Sequence, residues 1–187
     1  MTEGTSGLAS AQAEAQESAP LDIAGSGVLP PVAARVRRLF WVLERLAPSL
    51  GSRWAVELWC TPPVLESSLR MPPGVSPGRS IEAYWDGHRV AGEEWGEGPP
   101  IYLVHGWGGQ RAHLAVFVKP LVEAGYRVIA FDLPSHNESD RGALAPGRTT
   151  AIECADAIAA MIETHGPAHA VVAHSLGANA TALAAAQ

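Results

Sequence analysis

The sequence is poor in cysteine, holding Cys60 and Cys154 alone. They lie far apart without metal-ligand spacing, which argues against a disulfide framework and a cysteine-rich metal site and fits a reduced compartment. Their expected places are in core or helix rather than at a reactive site. No basic n-region and apolar h-region follow Met1, so no secretory signal is read. No uncharged run approaches the roughly 18 apolar residues of a membrane span. An excess of positive charge is also missing: the net charge is −6, with 13 Lys and Arg against 19 Asp and Glu. A nucleic-acid footprint is therefore not expected. A cytoplasmic protein is the resulting expectation.

What is present is a core-forming composition, 47% hydrophobic, within one domain's length. Residues 1–30 are rich in Ala, Gly, Ser, Gln and Glu without a large apolar repeat, and read as a disordered tail. Across residues 31–60, Val32, Val36, Leu39, Leu43, Leu46, Leu50, Trp54 and Leu58 recur at three- and four-residue steps, with arginines mostly between them. This is an amphipathic helical arm, broken near Pro48 into a hairpin. Packing on the catalytic domain is its favoured role; a membrane-surface or partner-binding arm is the second reading, given Phe40, Trp41, Trp54 and Trp59. Residues 61–79, with five prolines between Pro62 and Pro77, read as a linker.

From residue 80 the pattern changes. Ser80 to Tyr84 and His88 to Trp95 flank Asp86-Gly87, a favoured two-residue hairpin turn. His88 beside that turn reads as a solvated strand residue. Ile101 to Val104 and Tyr126 to Phe131 are apolar runs suited to strands buried on both faces. Helices are expected from about Arg111 to Ala124 and from about Thr149 to His165, the second capped by Thr149 or Thr150 with Glu153 near N3. Alternating strands and helices imply a mostly parallel sheet flanked by helices, with functional loops at the strand C-ends.

Three such loops carry chemistry. The strand Ala170 to Ala173 leads through His174-Ser175-Leu176-Gly177 into a helix of small residues. A strand-turn-helix of this sharpness forces the serine into sparsely allowed backbone geometry and requires small residues two positions either side. Ser175 reads as an acyl-transfer nucleophile. The loop His105-Gly106-Trp107-Gly108-Gly109 can aim a backbone N–H at it. The Trp107 and Leu176 amides would then form an oxyanion hole. The third loop runs Asp132-Leu133-Pro134-Ser135-His136-Asn137. A rival reading makes Gly106-Trp107-Gly108 a dinucleotide turn with Asp132 as the ribose acid. Arg111, standing where close packing wants a third glycine, argues against it.

In this order the three loops resemble the N-terminal half of an α/β-hydrolase fold protein of the serine esterase and lipase type. Ala173 replaces the first elbow glycine and is small enough. Asn137 replaces the glycine that usually ends the middle loop, and asparagine tolerates the left-handed conformation. The resemblance implies a triad ordered serine, acid, histidine, whose last two members are absent from this sequence. His105, Gly106, Asp132, His136 and His174 are expected to line or support the pocket. A loop-stabilising role for His105 and His136 outweighs a role as base, because no carboxylate is placed to orient either. His113, His165 and His169 read as surface or capping residues.

The implied activity is hydrolysis of carboxylic esters through an acyl-enzyme on Ser175, on a small-molecule acyl substrate, with neither cofactor nor metal. The alternatives are an acyltransferase of the same fold and a catalytically inert fragment or binding module. Dehalogenases and epoxide hydrolases of the fold, which carry aspartate at the elbow apex, are disfavoured. Without a neighbour for the elbow strand, the 187-residue chain alone is expected to be poorly soluble or partly unfolded.

Overall fold

The structure is a computed structural model describing residues 31–63, 71–143, 145 and 147–187. The tail read at 1–30 lies outside the described residues, as do 64–70 of the linker.

Asp86 and Gly87 adopt φ of 48° and 78°, the double positive-φ turn whose twist suits a two-residue hairpin. It joins β1 (Arg79–Trp85) to β2 (His88–Trp95), with Trp85 opposite His88. β1 alternates, burying Ile81 and Ala83 while exposing Glu82 and Tyr84. β3 (Pro100–Val104) and β4 (Arg127–Phe131) are buried on both faces beyond their first residues. With β5 (Ala170–Ala173), the strands form one sheet ordered β1-β2-β4-β3-β5. β3 runs parallel to β4 and β5, whereas β2 is antiparallel to both neighbours. The described sheet is thus mixed rather than mostly parallel, because the tight hairpin reverses the chain before the first crossover. The outer edge of β5 is unpaired among the described residues.

Alternation along β3 supplies two cores. Tyr102 and Val104 join Ile129, Phe131 and the inner faces of α4 (Ala151–His165) and α5 (Leu176–Ala184), including Cys154, Ile158, Met161 and Ala180. Ile101 and Leu103 face the other side, against Val128, Ala130, Ala115 and Val118. Because β3, β4 and β5 are parallel, their C-ends deliver His105, Asp132 and Ser175 to one edge.

The helices at residues 31–59 and 151–165 are as read, and the one expected over 111–124 is not. Thr150 caps α4 in a reciprocal capping box with Glu153, and α1 (Pro31–Leu46) and α2 (Pro48–Trp59) form the expected hairpin. Phe40 stacks on Trp54 at 4.4 Å, and α2 joins the body at its C-terminal end. There the Thr149 N–H donates to the Cys60 carbonyl at 2.8 Å, and Arg148 pairs with Glu57 at 3.4 Å. Instead of one helix over 111–124, however, a 3-10 helix spans Arg111–Phe117 and α3 only Val118–Glu123. Pro120 is the reason: inside a longer α-helix its ring would strike the Val116 carbonyl, whereas the first turn of α3 tolerates it. Among the described residues no helix is long and apolar enough to cross a membrane.

Candidate active site

Ser175 sits between β5 and α5 with φ 51° and ψ −117°, a region that side chains other than glycine occupy only under constraint. The constraint comes from both flanks. A Cβ on Gly177 would collide with the His105 carbonyl oxygen and lie 2.7 Å from that of Val104. Across the turn, a Cβ on Gly106 would fall 3.0 Å from Ser175 Cβ and 2.9 Å from His174 Nδ1. The glycine loop after β3 and the serine turn after β5 are therefore in backbone contact, and Ser175 remains solvent-exposed.

In the first turn of α5, Gly177 N–H donates to the His174 carbonyl, and Ala178 and Asn179 donate to that of Ser175. The Leu176 amide has no acceptor among the described residues. The loop after β3 shows the same selectivity. Gly109 N–H donates to the Gly106 carbonyl at 2.9 Å and Gly108 N–H to His136 Nε2 at 3.0 Å. The Trp107 amide is left without an acceptor among the described residues. Both amides expected to hold an oxyanion are thus without an acceptor among the described residues, whereas those of Gly108, Gly109 and Gly177 are occupied.

His105 and His136 lock this loop to the one after β4. His105 Nε2 accepts from the Leu133 N–H at 3.0 Å, which makes Nδ1 the protonated nitrogen, donating to the Gly106 carbonyl at 2.7 Å. In the same way His136 accepts from Gly108 through Nε2 and donates from Nδ1 to the Pro134 carbonyl at 2.9 Å. The rings meet edge to face at 5.0 Å, and the Trp107 indole packs edge-on against His136 at 5.5 Å. With both nitrogens engaged, neither ring is free to take a proton from Ser175. His174 lies against Gly106, away from the cleft at Ser175.

Burial disfavours the charged ring, pushing His105 from 6.5 down to about 3 and His136 below its usual range. Unfolded, each binds a proton as pH falls through 6.5; folded, each stays neutral further into acid. Stability is therefore complete above 6.5 and lost as pH falls toward 3. The slope approaches ~1.4 kcal/mol per pH unit for each histidine protonated only in the unfolded state. Urea unfolding at about pH 7.5 and about pH 5.5 checks this, and equal stabilities at the two would contradict it.

Asp132 is fully buried and does not face the cleft. Its carboxylate accepts from the Arg111 N–H at 2.7 Å, from the Asn137 side chain at 2.8 Å, and from the Arg111 guanidinium. Asn137 holds φ 42°, the left-handed conformation expected of it. Arg111 also reaches Glu93 at 3.1 Å and Glu138 at 2.8 Å. An acid so engaged is unavailable to a ribose, which removes the dinucleotide reading. The hub role of Arg111 is not evident from the sequence, because its carboxylates come from β2 and from the loop after β4.

Ser175 opens onto a cleft of about 390 Å³ lined by Trp59, Cys60, Trp107, Thr150, Leu176 and Asn179 among others. Trp59 and Cys60, from the end of α2, are site residues that sequence reasoning missed. Cys154 is buried in the core and its thiol pushed up to about 12 by burial, which makes it a poor nucleophile. Among the described residues no group of three or more His, Cys, Asp or Glu is arranged to hold a metal.

Residues 99–187 match the family described as alpha/beta hydrolase fold. Over 54 residues the chain is 37% identical to a non-heme chloroperoxidase of Kitasatospora aureofaciens, covering 29% of this chain and 20% of that protein. Among solved structures it is similar to an esterase from Exiguobacterium antarcticum, with 25% identity and a TM-score of 0.51 over 59% of this chain and 40% of that one. An epoxide hydrolase from Vigna radiata aligns with 24% identity and a TM-score of 0.51, over 56% of this chain and 34% of that one. The chain thus spans 20% of the curated relative's length and 34–40% of these two solved chains.

Proposed function

From a chain whose residues 99–187 carry the α/β-hydrolase fold, we propose a serine hydrolase acting on carboxylic esters through an acyl-enzyme on Ser175. The observation that carries the reading is Ser175 at the apex of a constrained turn, exposed to a cleft, with the Trp107 and Leu176 amides lacking acceptors among the described residues. Ser175 Oγ bonds to the ester carbonyl carbon, and the carbonyl π pair moves onto oxygen. The Trp107 and Leu176 N–H groups donate to that oxyanion; one such donor is worth roughly 3–4 kcal/mol in the transition state. Collapse expels the alcohol, which takes the serine's proton by way of a general base, and water then releases the acid by the same steps in reverse.

The base is a histidine other than His105 and His136, whose ring nitrogens are engaged with backbone groups. The resemblance implies that it and its acid follow Ser175, and residues 176–187 hold neither. The serine at the apex favours this reading over the epoxide-opening route, which calls for a carboxylate there. An acyltransferase would share every step up to the acyl-enzyme and differ in passing the acyl group to an alcohol or thiol.

A fluorophosphonate, which phosphonylates only an activated serine, tests the reading. In a chain that also carries the triad histidine and acid, covalent labelling, reduced at least about a hundredfold by Ser175→Ala, is expected. Labelling that survives this substitution, or none in the parent, would assign the fold a non-catalytic role.

A further inference from the structure

We propose that the N-terminal arm supplies the substrate-binding wall of the Ser175 cleft, with Trp59 as the platform for the apolar chain of a neutral ester. The inference rests on the reading of Ser175 as nucleophile and deepens it.

Three observations converge. Trp59 and Cys60 line the same cleft as Ser175, Trp107 and Leu176, although they lie outside the segment 99–187 that matches the hydrolase family. Their position is fixed by the body: the Cys60 carbonyl takes the Thr149 N–H, and Glu57, one turn back on α2, pairs with Arg148. Pro63 packs on the oxyanion loop itself, where a Cβ on Gly108 would lie 2.6 Å from its Cγ. The end of the arm therefore lines the cleft, and the linker residue Pro63 that follows it packs on the loop after β3.

The chemistry of the lining selects the ligand. None of the described lining residues is charged, so a carboxylate or ammonium entering there would lose its hydration without a counter-charge. Two indoles instead offer apolar surface: Trp59 at 83% exposure, and Trp107 at 37% beside its contact with His136. A large exposed aromatic at the rim of a pocket gains most by covering an alkyl chain. The polar lining groups, Thr150 and Asn179, are neutral and suited to an ester oxygen.

The test uses two probes. Fluorophosphonates with an ethyl or a decyl chain report on the reactive serine, and methyl octyl ketone, titrated by calorimetry, needs no chemistry at Ser175. Trp59→Ala is expected to slow decyl labelling and weaken ketone binding by about tenfold each, the effect of losing one aromatic face. Ethyl labelling should stay within about twofold, and Trp59→Phe should restore most of the decyl rate. Trp41→Ala, at an exposed tryptophan on α1 away from the cleft, should change none of these. Because the Trp59 side chain is largely exposed, the variant should fold, and its urea midpoint checks that. If decyl labelling and ketone binding are both unmoved, the inference falls and the role of Ser175 stands. If nothing is labelled but Trp59→Ala still weakens the ketone, the subsite stands and the nucleophile reading falls. Absence of both signals overturns both.

Discussion

Arg111→Ala is expected to lower the unfolding free energy by about 3–5 kcal/mol, the cost of stranding buried charge. The guanidinium is among the most enclosed charged groups here, with its side chain 5% exposed, and it serves Asp132, Glu93 and Glu138 together. Removing it leaves the Asp132 carboxylate in the core with Asn137 and two amides, and Glu93 beside it. The three acceptors are not equal. Glu138 is 56% exposed at the side chain, so Glu138→Ala should cost under about 1 kcal/mol. Arg111→Lys should recover only part of the loss, since an ammonium cannot fork toward three carboxylates. Urea unfolding followed by far-ultraviolet circular dichroism measures the series. Arg111→Ala and Glu138→Ala of equal stability would show that the network holds nothing together. Because Arg111 N–H also anchors Asp132, the loss should reach the loop after β3 and slow labelling of Ser175.

These groups separate what is legible in a sequence from what is not. The hairpin is legible because Asp86-Gly87 admits one turn geometry, and the serine turn because small residues flank Ser175 where backbones must nearly touch. The Thr150 cap declares itself through Glu153 three residues on. Such features are local: their cause lies within a few residues of their effect. The 3-10 segment at Arg111–Phe117 is also local, but apolar spacing across 111–124 obscures the interruption that Pro120 imposes. Arg111 is different. In sequence it only spoils a glycine fingerprint; its function depends on Glu93, Asp132 and Glu138 being brought together from β2 and the loop after β4. Trp59 is illegible for the same reason, since its place in the amphipathic arm does not say which surface that arm completes. His105 and His136 fall between: their loops mark them as site residues, but only the three-dimensional partners of both ring nitrogens decide that they lock loops rather than move protons.

Gly177→Ala carries the second large effect, and it joins stability to chemistry at one atom. The new methyl group would drive into the His105 carbonyl and approach that of Val104 at 2.7 Å. Both are backbone atoms at the C-end of β3, which is hydrogen-bonded between β4 and β5 and cannot yield without disturbing them. Overpacking of this kind costs about 1–3 kcal/mol, and the upper end is expected where no side chain can rotate away. Alanine elsewhere in α5 should be neutral or mildly stabilising relative to glycine, because glycine costs a helix interior about 1 kcal/mol. The sign at Gly177 is therefore opposite to helix propensity. Relief can come only by separating α5 from β3, which carries the Leu176 amide away from the Trp107 amide across the turn. Fluorophosphonate labelling should then fall by more than about tenfold even at low temperature, where the variant remains folded. A variant as stable as the parent would mean that the β3–α5 approach is looser than the carbonyl contacts require. One that is destabilised yet labels at the parental rate would contradict the proposed role of the Trp107 and Leu176 amides.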